Sequence, residues 1–244
     1  MISKNQIKFI RSLKLKKNRD AYNCFIVEGE KMVEEILQSD FVLLEIFTTR
    51  YWKFSIEKTI KIHRISEKEL ERISTLKTPN TLLAIVEKPK LELDISKIQN
   101  GLTLALDDIK NPGNLGTIIR VCDWFGVQNI ICSNNSVDVY NPKVIQATMG
   151  SITRVNVYYT NLEETIKNLS NKSPVYGAFM DGKDISDLNL KNNALLVMGS
   201  ESFGISREVS KLVTDKIGIK RENKGAESLN VSIATSILLY EFKR

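Results

Sequence analysis

The chain has 244 residues, 42% of them hydrophobic, and carries 35 Lys and Arg against 29 Asp and Glu for a net charge of +6. It is long enough to bury one large or two small cores, and no stretch nears the roughly 18 consecutive apolar residues of a membrane span, so a cytoplasmic protein with no membrane partner is expected. One histidine, His63, and three scattered cysteines, Cys24, Cys122 and Cys132, argue against a disulfide framework, a metal site and a Ser-His-Asp triad.

The charge is unevenly placed. Residues 1–19 hold seven Lys or Arg and no acid, whereas residues 96–244 hold 17 basic and 15 acidic side chains. Helical spacing puts Ile7, Ile10 and Leu13 on one face with Phe9 on its shoulder. It leaves Lys4, Lys8, Arg11 and Lys14 on the other, a face that can meet phosphates or simply be solvated. A strand is predicted over 24–29, a helix over 30–39, strands over 42–49 and 59–65, a helix over 66–74 and a strand over 81–87. Ser66 and Glu69 stand in capping-box register at the start of that second helix. The alternation predicts a small α/β/α domain over 1–95, with 88–101 as linker. Residues 96–244 repeat the alternation with more apolar strands, at 102–108, 129–133, 154–159, 174–180, 194–199 and 216–220. The intervening helices fall at 116–126, 142–149, 161–170, 205–213 and 229–242. Such a pattern predicts a mostly parallel sheet covered on both faces.

Three loops of this half end strands. NPGNLG (111–116) supplies Asn and Gly for close backbone approach, at the strand end where ligands sit in α/β folds. Arg120 is expected in the first turns of the next helix, where the macrodipole disfavours a cation by roughly 0.3–1 kcal/mol. It is therefore either functional or merely a solvated surface residue. In GSESFGIS (199–206), Gly199 would let a flat ligand reach the backbone. In KRENKGAESLNVS (220–232), Ser228 is expected to cap the last helix and Glu227 to complement its dipole. GAFMDGK (177–183) matches the start of a P-loop, but Asp184 follows where Ser or Thr is needed, and no GxGxxG occurs. Cys122 lies on the apolar side of its helix and reads as core.

Together the three loops resemble the SpoU (TrmH-like) family of RNA 2′-O-ribose methyltransferases, of the SPOUT superfamily. Asn111, Pro112, Asn114, Gly116 and Arg120 match the family's first motif, Gly199, Glu201 and Gly204 the second, and ESLNV at 227–231 the third letter for letter. Residues 141–155 resemble the segment between the first two motifs, and FIVEGEKMVEEIL (25–37) resembles a ribosomal-protein-L30e-like RNA-binding domain. Two departures stand out: Ser200 where the family usually has Asn, and Lys220-Arg221-Glu222-Asn223 where it usually has Pro-Met-x-Gly.

The resemblance implies an L30e-like substrate-binding domain over 1–95 and a methyltransferase domain over 96–244 that ends in a trefoil knot. It implies S-adenosylmethionine as methyl donor, no metal, a homodimer, and RNA as substrate, ribosomal RNA ahead of transfer RNA. Transfer RNA and a non-catalytic RNA-binding role are the alternatives. Arg120 would address the ribose 2′-oxygen or a neighbouring phosphate, with Asn114 on the acceptor side and Glu201 bracing the loops. Gly199, Ile219, Ser228, Leu229 and Asn230 would form the cofactor site. Lys4, Lys8, Arg11 and Lys14 would contact RNA. The final helix is apolar on several faces and is expected to dimerise.

Overall fold

The computed structural model describes residues 2–50, 60–98, 101–170, 173–222, 225 and 227–244. The chain divides into two compact units, Met1–Lys90 with Asp138–Thr153, and Leu91–Val137 with Arg154–Arg244.

In the first unit, α1 (Lys4–Ser12) opens with a reciprocal cap between Ser3 and Gln6 and buries Ile7 and Ile10. Next, α2 (Lys16–Tyr22) stops at Asn23, whose φ of 50° lies in the left-handed region that Asn tolerates and turns the chain into β1 (Cys24–Glu28). It is followed by α3 (Glu30–Leu37), β2 (Leu43–Thr48), β3 (Lys61–Arg64), α4 (Glu67–Ile73) and β4 (Leu82–Glu87). The first residues of the strand expected over 59–65 include residue 59, which lies outside the described residues. The expected capping box at Ser66 and Glu69 is formed in both directions. The sheet order is β1-β4-β2-β3, antiparallel except for β2 with β3.

The second unit holds α5 (Ile95–Ile98), β5 (Leu102–Leu106), α6 (Pro112–Trp124) and β6 (Asn129–Ser133). After α7 (Pro142–Thr148), which belongs to the first unit, it continues with β7 (Asn156–Thr160), α8 (Leu162–Ser170), β8 (Val175–Asp184), β9 (Ala194–Met198), α9 (Arg207–Ser210), β10 (Asp215–Gly218) and α10 (Val231–Lys243). Its sheet runs β10-β8-β9-β5-β6-β7, and every pairing is parallel. Both β5 and β9 are buried along their whole length, as strands covered on both faces must be. From β5 the chain moves outward through β6 and β7, then resumes on the other side of β5 with β8 and β9. The loops after neighbouring strands β5 and β9 therefore part company at a topological switch point, where an open α/β sheet leaves a crevice.

Several expectations are corrected. Pro112 is the first residue of α6, because the Asn111 side chain accepts from the backbone N–H groups of Gly113 and Asn114 and Pro at this position loses no helical hydrogen bond. NPGNLG is thus mostly the first turn of a helix rather than a loop. Arg120 sits well past that turn, where the macrodipole penalty has faded. The cap of α10 is Asn230, not Ser228. The strand expected over 174–180 runs on to Asp184 as β8, so that GAFMDGK lies inside it, in keeping with the rejection of a phosphate loop. The expected linker contains α5. Residues 138–153, assigned with the second half in the sequence, pack in the first unit.

Candidate active site

Because β5 and β9 are adjacent and in register, Leu106 pairs with Met198 and the first two motifs start side by side. The Asp107 backbone N–H donates to the Met198 carbonyl at 2.9 Å, and the buried Asp107 carboxylate accepts from the Ser206 N–H at 2.8 Å. Asp107, which the sequence reading missed, thereby ties the end of β5 to both ends of the second loop. That loop closes on itself: Ser200 and Gly204 exchange backbone hydrogen bonds at 3.0 and 2.9 Å, and Ser200 Oγ accepts from the Phe203 N–H at 3.2 Å. The Ser that replaces the family's Asn is used to shape this turn. Gly199 is required there, since a Cβ would come within 2.0 Å of the Gly204 carbonyl carbon. Gly204 has φ 66°, the left-handed region that glycine enters freely.

The turn presents Glu201, whose carboxylate accepts a hydrogen bond from the Asn114 amide. The Asn114 carbonyl oxygen in turn accepts from Asn230 Nδ2 at 3.1 Å. Asn230 Oδ1 accepts from the Ser232 N–H at 3.0 Å and from its hydroxyl at 2.6 Å, holding the first turn of α10. One amide from the first motif therefore joins the second motif to the third.

Beside this clasp lies a cavity of about 420 Å³. Gly199, Glu201, Ile219, Ser228 and Leu229 line it, together with Met198, Val231, Ala234 and Leu238. Asn230 does not line it; its side chain serves the clasp. Part of the wall comes from Ala178, Phe179 and Met180, which periodicity did not single out. The register of β10 on β8 jumps from Gly177 to Lys183, and residues 178–182 are passed over. The two glycines bracket that bulge: a Cβ on Gly182 would meet the Ile217 carbonyl at 2.3 Å, and one on Gly177 would meet Val213 at 2.7 Å. Their spacing, which imitates a P-loop in sequence, is the signal that could have revealed the wall. Lys220 and Arg221 reach the cavity where Pro and Met are usual in the family, and Lys220 pairs with Glu222 at 3.0 Å. Asn223, the last residue of that departure, lies outside the described residues.

Arg120 is not brought into the cavity. It lies on the exposed face of α6 with Thr117 and Trp124, and among the described residues no hydrogen bond or ion pair holds its guanidinium. Lys4, Lys8, Arg11 and Lys14 are exposed on the first unit, and Lys14 Nζ donates to the Ser74 carbonyl at 3.3 Å. Arg19, counted with the basic run, is buried and paired with Asp138. Cys122 and Cys132 are fully buried, and desolvation pushes both thiols far above their ordinary pKa, which suits core residues and not nucleophiles. Among the described residues no group of three or more His, Cys, Asp or Glu side chains could hold a metal ion, and no helix is long and apolar enough to cross a membrane.

Residues 101–240 match the SpoU rRNA methylase family, and residues 4–84 match the MRM3-like substrate binding domain. The 23S rRNA (guanosine(2553)-2′-O)-methyltransferase RlmP of Bacillus subtilis is 28% identical over 99% of this chain and 97% of its own length. Human mitochondrial rRNA methyltransferase 3 is 26% identical over 93% of this chain and 69% of its own. Among solved structures, a putative RNA methyltransferase of the TrmH family from Porphyromonas gingivalis superposes with a TM-score of 0.91, at 39% identity over 100% of this chain and 98% of that one. The AdoMet-bound rRNA methyltransferase of Sinorhizobium meliloti gives 0.85 at 26% identity over 99% and 96%. The motif matches fall on the clasp and the cavity, the family model spans them, and the whole chain follows the solved fold: this protein belongs to the SpoU rRNA methylase family.

Proposed function

We propose that this protein transfers a methyl group from S-adenosylmethionine to a ribose 2′-hydroxyl of ribosomal RNA. The observation that carries this reading is the Glu201–Asn114–Asn230 clasp, which holds three motif segments around one crevice at the switch point of the sheet. The cavity suits the donor: about 420 Å³ is within the range of small-molecule sites, and its walls are mostly apolar, with Ser200, Glu201, Lys220, Arg221 and Ser228 as polar exceptions. When bound, S-adenosylmethionine supplies an electrophilic methyl on a sulfonium, so neither a metal nor a covalent intermediate is needed.

The chain's own task is alignment and charge stabilisation. Gly199, Ile219, Ser228 and Leu229 hold the donor, largely through backbone groups, and the clasp of Asn114, Glu201 and Asn230 fixes the loops they stand on. Arg120 serves the acceptor as a cation directed at the 2′-oxygen or its phosphate and not as a simple base, since a guanidinium does not give up its proton readily. Its exposed position leaves it free to meet RNA.

The front unit supplies RNA affinity through Lys4, Lys8, Arg11 and Lys14, and the relatives named as rRNA enzymes favour ribosomal RNA over transfer RNA. We further propose a homodimer built on α6 and α10, which pack together and leave Trp124, Ile233 and Tyr240 exposed at 86%, 52% and 54% in a single chain. The trefoil knot in the C-terminal segment and a cytoplasmic location complete the proposal.

The direct test supplies purified protein and labelled S-adenosylmethionine with unmodified ribosomal RNA or transfer RNA, and assays nucleoside digests for 2′-O-methylation. Labelling of ribosomal RNA alone is expected. Labelling of transfer RNA alone would reassign the substrate, and RNA binding without any S-adenosylmethionine binding by calorimetry would make the protein a non-catalytic RNA binder.

A further inference from the structure

We infer that Tyr22, backed by Phe9, is a stacking platform for an unpaired RNA base on the first unit; this rests on reading that unit as the RNA-binding half. Tyr22 is the last residue of α2 and is 56% exposed. Its ring meets that of Phe9 edge to face, with centroids 5.0 Å apart and planes at 87°. Phe9 is itself half-buried and packs on the apolar core that includes Ile10, Leu13 and Ile26. The tyrosine is thus held from one side by a ring that cannot move far, while more than half of its surface stays open to water. Leu15, 54% exposed, stands at the turn between α1 and α2 and extends the apolar surface of the same helix pair.

The charge around the pair selects the partner. Within residues 2–23 the only acidic side chain is Asp20, and its carboxylate is neutralised twice, by Lys16 and by Lys88, each at 2.6 Å. Those two contacts hold its pKa below the usual carboxylate range. Lys4, Lys8, Arg11 and Lys17 are exposed and, among the described residues, have no ion pair. On α1, Lys8 is one residue from Phe9 and about 100° round the helix from it, and Lys4 and Arg11 lie further round on the same side, at about 140° and 160°. Cations that follow a phosphate backbone, on the same helix pair as an open aromatic ring held by a second ring, are the two components of single-strand recognition: the first gives salt-dependent affinity, the second stacks a base. A duplex keeps its bases stacked internally and offers the ring nothing, so the platform acts on a loop, bulge or single strand.

Anisotropy titrations of the full chain with a labelled 16-nucleotide oligouridine and with a duplex RNA of 16 base pairs, at several salt concentrations, test this. Tyr22→Ala should weaken the single strand by about 5- to 100-fold, with the slope of log affinity against log salt unchanged, because stacking releases no counterions. Duplex affinity should stay within twofold. Tyr22→Phe should bind like the parent protein. Tyr22→Leu keeps an apolar contact with Phe9 and should still lose the single-strand preference, which separates stacking from damage to the fold. Replacing Lys4, Lys8, Arg11 and Lys17 by Gln should lower the slope on both RNAs. Unchanged single-strand affinity in the Ala and Leu variants, with the Gln variant weakened, would overturn the platform and leave the helix pair as an RNA site. No effect in any variant would remove both the platform and the RNA-binding reading of this surface.

Discussion

Arg19 and Asp138 stand 119 positions apart in sequence and form an ion pair in the first unit, with Arg19 Nε 3.0 Å from Asp138 Oδ2 and only 1% of the arginine exposed. Arg19 Nη1 also donates to the Leu13 and Lys14 carbonyls at 2.8 and 2.9 Å, where α1 ends and its carbonyls lack helical partners. Removing one member strands a buried charge. Asp138→Ala should cost about 3 kcal/mol of stability, and the paired change Arg19→Met with Asp138→Leu should cost less than either single change. Urea unfolding of the three variants measures this; a double variant less stable than both singles would contradict it.

The same pair bears on how the chain can be cut. A fragment of residues 96–244 follows the composition but separates 138–153 from the surface that buries it. Val144 and Ile145 lose their cover, since α7 packs on β1, and Asp138 loses Arg19. Limited proteolysis of the fragment should cut first within 138–153, and the fragment should aggregate at concentrations where the full chain does not. A soluble fragment resistant to protease across that segment would show that it finds other partners.

Asn114 and Arg120 share a helix and should differ in what they affect. Asn114→Ala breaks the link between Glu201 and Asn230, so the loops proposed to hold both substrates should shift. About a hundredfold loss of methyl transfer is expected, together with weaker S-adenosylmethionine binding. Arg120→Ala should lower transfer by roughly 10²–10³ while cofactor affinity stays within a few-fold, because the residue stands outside the cavity. Calorimetry beside single-turnover kinetics separates the two, and parallel loss of binding and rate in the arginine variant would withdraw the role given to it.

Acid sensitivity should trace in part to Glu69. Its carboxylate accepts from the Ser66 backbone N–H, from the Ile2 N–H and from the Ser66 hydroxyl, and these bonds lower its pKa from 4.5 to about 2. A folded-state pKa below the unfolded one gives a contribution that is complete above about pH 4.5 and lost as the pH falls through about 2. Glu69→Gln should therefore lower stability at pH 6 and flatten its decline between those limits. Thermal unfolding across that range would refute the assignment if the two proteins declined in parallel.

The proposed dimer predicts a mass near twice 27.7 kDa by light scattering at micromolar concentration. Trp124→Arg places a charge on the exposed end of α6 and should yield monomers that remain folded. A parent protein that is monomeric and still methylates RNA would end the dimer proposal.

Much of the fold was legible in the sequence because its signals are local. The apolar runs of β5 and β9, the Ser66–Glu69 capping box and the amphipathic spacing of α3 each depend on neighbours a few residues away. The three motifs singled out the candidate site residues for the same reason, as each is a short segment whose glycines and polar side chains follow from the turn it makes. What the tertiary structure decided lies between distant segments. Asn114 meeting Glu201 and Asn230, Asp107 closing on Ser206, and Gly182 lying against Ile217 all require strands far apart in sequence to become neighbours in one sheet. Charge misled for a related reason. Arg19 and Lys8 look alike in a basic run, and only burial beside Asp138 makes one of them structural while the other stays exposed. A side chain's type and spacing are written in the sequence, but its solvent exposure and partner are properties of the packed chain.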